Sequence, residues 1–397
     1  MRLLIHSKIT GLPYDIVLQD GMMKPFNTSD TYDFCMGDRS SSKSVEGLLK
    51  LHDYELEDLV PSEYRNSFKE CGYSGEVPWS YAIPTRKYKE LLLPFLKKIQ
   101  DVVDCVEEST YSEFFQETNE IFSLLKPCRF DERQCKDILG EADNHVISSL
   151  IKMSKGGLLP PPSYSRSSTK TGRLVVKKGP QILTLKKEHR SVLKPCVEGN
   201  KLYEIDFVSL EPRVALNLAG ESCGEDVYES FASASGLEVS RDVSKLAVLC
   251  ALYGAGKYRL EGLLGKEDSK VSAKKLIESV KEYFKVRELS RELETQAKEG
   301  KILNYFGRPI DVDDARPSIL VNNFLQSSAV DIALVGFLDF CRLMNGSIRP
   351  LYIIHDALVF EADPKNIAHV IEYVDNGYEV ENLGKFPLKI TEMNSHG

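Results

Sequence analysis

The sequence predicts a mixed α+β fold, because short β-type segments alternate with long amphipathic helices. Short apolar segments bearing an acid occur at residues 202–207 and 351–360, a pattern typical of buried strands. Between and before them, apolar residues recur at helical spacing over long stretches. Strands interleaved with long helices in this way indicate an α+β domain.

Length and composition limit the class of protein. The 397 residues are enough for more than one domain, and 42% hydrophobic with 28% charged residues is a globular balance. No uninterrupted apolar run approaches the roughly 18 residues that span a bilayer, and the N-terminus lacks the apolar core of a signal peptide. Nine scattered cysteines without a CxxC pair indicate free thiols in a reducing compartment. We therefore expect a cytoplasmic protein without membrane contact.

The net charge of −8 conceals a basic segment. Between Lys152 and Lys201, both included, there are twelve Lys or Arg residues and only two acids, Glu188 and Glu198. A groove for nucleic acid requires such a stripe rather than a basic protein as a whole. On charge alone, a solvated basic loop is the simpler explanation, so both interpretations stay open here.

The elements can be placed in chain order. Residues 1–85 mix short apolar runs with Gly, Pro and Ser, and receive no assignment. In residues 85–152 apolar side chains recur at helical spacing, which predicts helices. The Gly- and Pro-rich segment 156–162 marks the boundary between this helical part and the rest of the chain. Loops and short strands are predicted for 163–200. The later elements are a strand at 202–207, helices at 209–219 and 241–253, a helix or helix pair at 269–299, a hairpin at 301–312, a helix at 318–343 and strands at 351–354 and 358–360.

Two aspartates lie beside strongly apolar β residues. Asp206 closes the first of these strands, and Asp356 lies in the turn of the final hairpin. A carboxylate in such surroundings is costly to keep ionised unless a cation neutralises it. Mg²⁺ prefers one or two carboxylates with substrate phosphates, and a pair of such ions supports in-line phosphoryl displacement. For either residue alone, a turn-capping role explains the sequence better.

Two cations share one face of the helix predicted at 241–253. Arg241 and Lys245 stand at i and i+4, where they repel each other unless an anion bridges them. A triphosphate would do so. The planar guanidinium of Arg241 would bind two phosphate oxygens at once, and the ammonium of Lys245 would act as a single compact charge. Leu249 and Tyr253 follow on about the same face, where an aromatic ring can pack on a base or sugar. Considered by itself, this segment is better explained by a solvated helix face with a core tyrosine.

Taken together, these segments resemble the family A DNA polymerases of bacterial repair and phage replication. The matching motifs, in chain order, are Thr169-Lys-Thr171-Gly172-Arg173-Leu174, Asp206-Phe-Val-Ser209-Leu-Glu211-Pro-Arg213 (motif A), Arg241-x3-Lys245-x3-Leu249-x3-Tyr253-Gly254 (motif B), Phe306-Gly307-Arg308, Asn322-x3-Gln326-x4-Asp331 and His355-Asp356-Ala357 (motif C). Each motif is weak alone, but six in the expected order make chance an improbable explanation. The resemblance covers residues 163 to the C-terminus.

The resemblance implies a right-hand polymerase with an antiparallel palm sheet, helical fingers, a helical thumb and a small N-terminal region. The implied boundaries are 1–85 for an N-terminal region of unassigned role, 86–162 for the thumb, 163–220 and 316–397 for the palm, and 221–315 for the fingers. It also implies template-directed addition of dNTPs to a DNA primer–template, with two Mg²⁺ ions that Mn²⁺ can replace.

The resemblance further implies a role for each matched residue. Asp206 and Asp356 correspond to the metal-binding catalytic carboxylates, and Lys245 to a proton donor for pyrophosphate. The residues expected to bind the dNTP are Arg241, Lys245, Leu249, Tyr253, Gly254 and Glu211. Those expected to contact DNA are Arg173, Thr171, Asn322, Gln326, His355 and Arg213. Glu211 is implied to block a ribose 2′-hydroxyl and so to select deoxynucleotides.

Three positions depart from the family pattern, and two alternatives remain. Leu249 replaces an aromatic residue, Ala357 replaces a third acid, and Ser209 replaces a glutamine. A single-subunit RNA polymerase or primase-like enzyme is the alternative within the enzyme class. A catalytically weak relative that only binds primer–template is the alternative outside it.

The N-terminal part predicts the absence of proofreading. About 85 residues before the helical segment are too few for the exonuclease of roughly 200 residues that relatives carry, and no Asp-x-Glu ends an early strand. Because the chain is not basic overall, we also expect a processivity or replisome partner that helps to hold it on DNA.

Overall fold

The computed structural model describes residues 2–37, 44–46, 49, 58–73, 77–107, 110–141, 144–221, 223–264, 272–312 and 316–393. The chain forms two compact units, Met1–Glu120 and Ile121–Gly397. The predicted boundary after residue 85 therefore lies inside the first unit. The segment predicted as the thumb, 86–162, is divided between the two units.

The first unit contains a four-stranded sheet that the sequence did not reveal. Its strands are β1 (Arg2–Ile5), β2 (Ile16–Gln19), β3 (Met22–Pro25) and β4 (Phe34–Met36), in the order β3-β2-β1-β4. β1 is antiparallel to β2 and parallel to β4. Strands of three or four residues carry too short a periodic pattern to be recognised from sequence.

Helices follow this sheet. They are α1 (Ser7–Thr10), α2 (Ser62–Glu70), α3 (Trp79–Ala82), α4 (Thr85–Glu107) and α5 (Thr110–Leu124), of which the last ends in the second unit. The hydroxyl of Tyr88 on α4 donates to the carbonyl of Thr10 at 2.8 Å, which ties this helix to the turn after α1. Tyr88 is buried, as its place in the apolar stripe predicts.

The second unit holds the remaining elements. Its strands are β5 (Cys128–Phe130), β6 (Leu158–Leu159), β7 (Ser163–Ser165), β8 (Val175–Lys178), β9 (Leu193–Lys194), β10 (Lys201–Phe207), β11 (Lys301–Leu303), β12 (Pro309–Asp311), β13 (Ile348–Ile354), β14 (Ala357–Ala362), β15 (Tyr378–Val380), β16 (Gly384–Phe386) and β17 (Leu388–Glu392). Its helices are α6 (Glu132–Glu141), α7 (His145–Met153), α8 (Leu210–Leu218), α9 (Val227–Ser235), α10 (Arg241–Leu252), α11 (Lys257–Leu263), α12 (Ala273–Tyr283), α13 (Val286–Gln296), α14 (Pro317–Met344) and α15 (Ile367–Asn376). The mixed α+β class predicted from the sequence is confirmed.

A four-stranded antiparallel sheet forms the centre of the second unit. Its order is β13-β14-β10-β17, so strands that are distant in the sequence become neighbours. α14 packs against this sheet through the ring pairs Phe207–Phe337, with centroids 5.5 Å apart, and Phe340–Phe360, at 5.4 Å. This packing belongs to one continuous core that extends through the helices of the unit.

α14 is the one helix in the described ranges that is long and apolar enough to cross a membrane, by length and composition only. Of its most apolar 18-residue window, 78% is buried within the protein. Ser327, Ser328 and Asp331 interrupt its apolar sequence, so the helix contains no uninterrupted apolar run long enough to span a bilayer. Burial on the sheet accounts for the apolar composition of the helix.

Candidate active site

The sheet places two aspartates next to each other. β10 pairs with β14 so that Asp206 stands opposite Ala357, one residue after Asp356. The backbone N–H of Phe207 donates to the carbonyl of Asp356 at 3.2 Å. His355 occupies the left-handed region with φ 59°, which is uncommon for a residue other than glycine, and so closes the two-residue turn from β13 to β14. Main-chain pairing thus fixes both acids at one end of the sheet.

The electrostatics of this pair favour a bound cation. Desolvation, with a further contribution from the charge of Asp356, raises the pKa of Asp206 to about 7. Desolvation by the surrounding protein also raises the pKa of Asp356. The charges of Lys389 and Lys187 lower the pKa of Asp206, but they do not offset its desolvation and the neighbouring acid. The fully ionised pair is therefore unfavourable unless a cation binds it.

The donor set fits Mg²⁺ only if a substrate completes it. In the described part of the chain, no group of three or more His, Cys, Asp or Glu side chains is placed to hold a metal ion. Two carboxylates are nevertheless the share of the ligands that Mg²⁺ commonly takes from a protein when phosphates supply others. Asp206 and Asp356 therefore fit a site shared with a phosphate-bearing ligand.

A sharp turn after β10 brings Glu211 back toward these acids. Ser209 is left-handed, with φ 53°, and precedes α8, whose first turn contains Glu211. Burial is the largest influence on the pKa of Glu211 and raises it, although the nearby Tyr253 hydroxyl lowers it in part. A guanidinium nitrogen of Arg173 lies 3.7 Å from Oε1, while the buried Oε2 makes no hydrogen bond of good geometry among the described residues.

α10 presents a row of side chains to the same cleft. The hydroxyl of Ser240 caps this helix by accepting from the N–H of Val243 at 3.3 Å. Arg241, Lys245 and Leu249 follow on successive turns, and Tyr253 lies at its C-terminal end. Gly254 then has φ +69°, and a Cβ there would lie 2.8 Å from the Cβ of Ser318 on α14, so only glycine fits. This close approach brings the end of α10 against the start of α14.

A buried polar network holds the loop that carries Arg173. Arg308 is fully buried and donates from Nη2 to the carbonyl of Arg166 at 2.8 Å. Arg166 in turn forms an ion pair with Asp331 on α14, whose second carboxylate oxygen accepts from Asn304 at 2.8 Å. A Cβ at Gly172 would lie 2.9 Å from the Arg308 guanidinium, which explains why this position requires glycine.

The hydroxyl of Thr171 completes the attachment of this loop. It donates to Oε1 of Gln326 on α14 at 2.6 Å, and Thr171 is itself buried. Arg173, two residues further on, is exposed and reaches the cleft. The loop thus presents Arg173 and, through Thr171, orients Gln326.

Most of the residues selected from the sequence converge in one cavity of about 320 Å³. Those that line it are Asp206, Asp356, Glu211, Arg241, Lys245, Leu249, Tyr253, Arg173, Gln326 and His355. Burial and the charge of Arg173 lower the pKa of His355, so a neutral imidazole is favoured there. The cavity therefore joins a carboxylate pair, two cations, an aromatic ring and amide and imidazole groups.

Four selected residues do not line the cavity. Thr171 donates to Gln326, which does line it, and Gly254 allows the end of α10 to approach α14. Asn322 lies one turn before Gln326 on α14. Arg213 is buried, and its guanidinium donates to the carbonyls of Val208, Gly224 and Glu225. The prediction that Arg213 contacts DNA is not retained, because these hydrogen bonds already engage its guanidinium. They join the segment that follows α8 to the residue after the end of β10.

Tyr228 on α9 also lines the cavity and was missed from the sequence. Its ring lies 5.4 Å from the guanidinium carbon of Arg241. It precedes Arg241 by 13 residues in a segment without a motif, and only the packing of α9 on α10 brings the two together. No signal in the sequence would have selected it.

Comparison with known proteins identifies relatives of this fold. The sequence profile described as DNA polymerase family A matches residues 139–394. A protein described as "DNA polymerase" from Mycobacterium phage L5 is 30% identical over 171 residues, which cover 41% of this chain and 28% of that protein.

A solved structure shares the fold. It is described as the POL domain of Pol1 from M. smegmatis in complex with DNA primer-template and dNTP, and it matches with a TM-score of 0.51 at 17% sequence identity. The match covers 89% of this chain and 61% of that one. This chain thus spans less than two thirds of either relative.

Proposed function

Since this chain belongs to DNA polymerase family A, we propose that it is a template-directed DNA polymerase. It adds dNMP from dNTP to the 3′-hydroxyl of a primer and releases pyrophosphate. The observation that carries this proposal is the convergence, in one cavity, of the Asp206–Asp356 pair with Arg241 and Lys245. Carboxylates that bind divalent cations and side-chain cations that bind phosphates are the two requirements of phosphoryl transfer.

Asp206 and Asp356 would hold two Mg²⁺ ions, which Mn²⁺ can replace. When bound, such ions stabilise the negative charge on the attacking and leaving oxygens. The raised pKa of Asp206 supports this assignment, because a nearby dication would compensate the charge that desolvation penalises. Ala357 leaves this pair without a third adjacent acid, so the substrate phosphates supply more of the ligands.

Arg241 and Lys245 would bind the triphosphate. The planar guanidinium of Arg241 can fork two phosphate oxygens, whereas the ammonium of Lys245 acts as a compact charge one helical turn away. Lys245 would also donate a proton from Nζ to the departing pyrophosphate. The protein's own contribution is then positioning and charge stabilisation, without a covalent intermediate.

Glu211 would select the sugar. It lies in the first turn of α8 with its carboxylate buried beside Tyr253 and Arg173. A bulky acid whose side chain is only 13% exposed leaves little room for a 2′-hydroxyl, so deoxynucleotides are favoured. Leu249 on α10 offers an aliphatic side chain to the incoming nucleotide in place of an aromatic ring.

Arg173, Gln326, Asn322 and His355 would contact the primer–template. Donors in the minor groove test the geometry of a base pair rather than its sequence, because every correct pair presents acceptors there. Thr171 would act indirectly by orienting Gln326. In this scheme residues 163–220 and 316–397 form the palm, 221–315 the fingers and 86–162 the thumb, and a further protein partner assists attachment to DNA.

The cellular setting proposed is the cytoplasm of a bacterium or a phage-infected cell. The match to a mycobacteriophage polymerase supports it.

Primer extension tests the proposal. Purified protein, a primed template, Mg²⁺ and either dNTPs or rNTPs are combined, and Asp356→Asn is compared with the wild type. Asp363→Asn is the matched control, because Asp363 follows the far end of β14 and only caps a short turn through Lys365. The expected result is extension with dNTPs by the wild type and the control, but not by Asp356→Asn.

Other outcomes would favour the alternatives. Extension with rNTPs in preference to dNTPs would indicate an RNA polymerase. Equal DNA binding by the wild type and Asp356→Asn, with extension by neither, would indicate a primer–template-binding protein without catalysis.

A further inference from the structure

Arg241 is held in place by a side chain that does not line the cavity. Its Nε and Nη2 contact the same oxygen, Oδ2 of Asp226, at 2.7 and 2.6 Å. The ring of Tyr228 lies 5.4 Å from the guanidinium carbon. An arginine whose side chain is 44% exposed would otherwise sample many rotamers. Here a carboxylate and a ring define its position.

Asp226 is itself fixed by the backbone of α9. Its Oδ1 accepts from the N–H groups of Tyr228 at 2.8 Å and Glu229 at 3.1 Å, which makes Asp226 the N-cap of this helix. One oxygen therefore binds α9 and the other binds Arg241. The orientation of the guanidinium on α10 is thereby set by the position of the N-terminus of α9.

The geometry leaves part of the guanidinium directed away from Asp226. Arg241 lines the cavity together with Lys245 and Tyr228, whereas Asp226 does not. The contacts to Asp226 use the edge formed by Nε and Nη2. Nη1 lies 3.9 Å from Oδ1 of Asp242, whose side chain is 91% exposed.

Asp226 has two opposed effects on an incoming anion. Its negative charge repels phosphate, but Arg241 and the positive end of the α9 dipole neutralise much of that charge. Its hydrogen bonds pre-order the guanidinium, so less rotamer freedom is lost when phosphate binds. Because Asp226 stands outside the cavity, we expect pre-ordering to dominate.

We propose that Asp226 is a positioning residue for nucleotide binding, which fixes Arg241 at the cavity so that its guanidinium meets the triphosphate without reordering. This inference rests on the proposed function, because it takes Arg241 as a ligand of the triphosphate. Asp226 lies between motif A and motif B and belongs to neither.

Asp226→Asn and Asp242→Asn form a matched pair for the test. Each removes one negative charge near Arg241, but only the first removes an acceptor of its guanidinium. The single oxygen of asparagine can accept from the N–H groups that it caps, which leaves a donor NH₂ group facing Arg241. Asparagine caps helices about as well as aspartate, so α9 should persist in the first variant. Equal thermal melting of both variants and the wild type would verify this.

The measurements are KM for dNTP, kcat, DNA affinity and direct binding of inorganic tripolyphosphate. For Asp226→Asn we expect KM for dNTP and Kd for tripolyphosphate to rise about tenfold, the usual effect of a lost charge-assisted hydrogen bond. kcat and DNA affinity should change little. Asp242→Asn should leave KM unchanged or slightly lower. In an Arg241→Ala background, Asp226→Asn should have no further effect.

Three results would overturn the inference. They are a lower KM in Asp226→Asn, equal effects of the two variants, or an effect of Asp226→Asn that persists without Arg241. If the wild type extends no primer, the proposed function fails. Tripolyphosphate binding still decides whether Asp226 positions Arg241 for an anion.

Discussion

The two walls of the cavity are built by different means. On the sheet wall, Asp206 and Asp356 are positioned by main-chain pairing between β10 and β14. On the helical wall, Arg241 is positioned by the side chain of Asp226, and Glu211 lies opposite the side chain of Arg173. Backbone pairing keeps its geometry when a side chain changes, whereas a side-chain contact does not. Replacing an acid on the sheet wall should therefore abolish primer extension without changing the fold. Substitutions on the helical wall should reduce activity by different amounts, according to which side-chain contact is lost.

The largest effect should come from the sheet wall. Asp206→Asn or Asp356→Asn should reduce primer extension by about a thousandfold or more, because several kcal/mol of charge stabilisation are lost. The fold should be unchanged, since the strand pairing does not use these side chains. Extension assays with thermal melting of the same samples test this. Activity within tenfold of the wild type would contradict the assignment of these acids.

The network that holds the Arg173 loop should show the next largest effect. Arg308→Ala would leave the carbonyl of Arg166 unpaired in a buried site, and the free energy of unfolding should fall by about 3 kcal/mol. Urea unfolding provides the measurement. Arg342→Ala, at an exposed position on α14, is the control and should change stability by less than about 0.5 kcal/mol.

On the helical wall, Lys245→Ala should lower kcat/KM for dNTP by about a hundredfold, through lost charge and a lost proton donor. Lys281→Ala removes a surface lysine that pairs with Glu278 at 3.2 Å and serves as the control. Single-turnover extension over a range of pH separates the two roles of Lys245. A loss confined to KM would exclude the role of proton donor.

Glu211→Ala should weaken the preference for dNTP over rNTP by about tenfold or more, because a bulky group no longer excludes the 2′-hydroxyl. The ratio of kcat/KM values for matched dNTP and rNTP gives the result. Glu221→Ala, three residues beyond the end of α8 and 3.7 Å from the ammonium of Lys285, should leave this ratio unchanged. An unaltered ratio in Glu211→Ala would remove this residue from sugar selection.

The smallest expected effect is on thermal stability, which should depend on pH and on bound metal through Asp206. The folded-state pKa of Asp206 is about 7, above its ordinary value of 3.8. The folded state therefore binds more protons than the unfolded state between these values, and this group lowers stability as pH rises through that range. In EDTA, the melting temperature of the wild type should fall more between pH 5 and pH 8 than that of Asp206→Asn. Mg²⁺ should restore part of the loss at pH 8.

In the second unit, the helices and strands predicted from long periodic patterns agree with those in the structure. The predicted helices at 209–219, 241–253 and 318–343 correspond to α8, α10 and α14, and the predicted hairpin at 301–312 forms β11 and β12. Of the segment predicted as a helix or helix pair at 269–299, the described residues from 272 onward form the pair α12 and α13, with Lys285 in a left-handed conformation between them. Short strands, including all four of the first unit, gave no comparable signal.

Residue types and spacing drew attention to the two acids and to the cations Arg241 and Lys245 on one helix face, but only the resemblance of six ordered motifs to family A polymerases assigned them roles and added Glu211. Tertiary packing decided the rest. It buried Arg213 among backbone carbonyls, tied Thr171 to Gln326 and brought α9 beside α10, so that Asp226 and Tyr228 surround Arg241. Contacts between side chains from separate elements depend on how those elements pack, and local sequence patterns do not encode that arrangement.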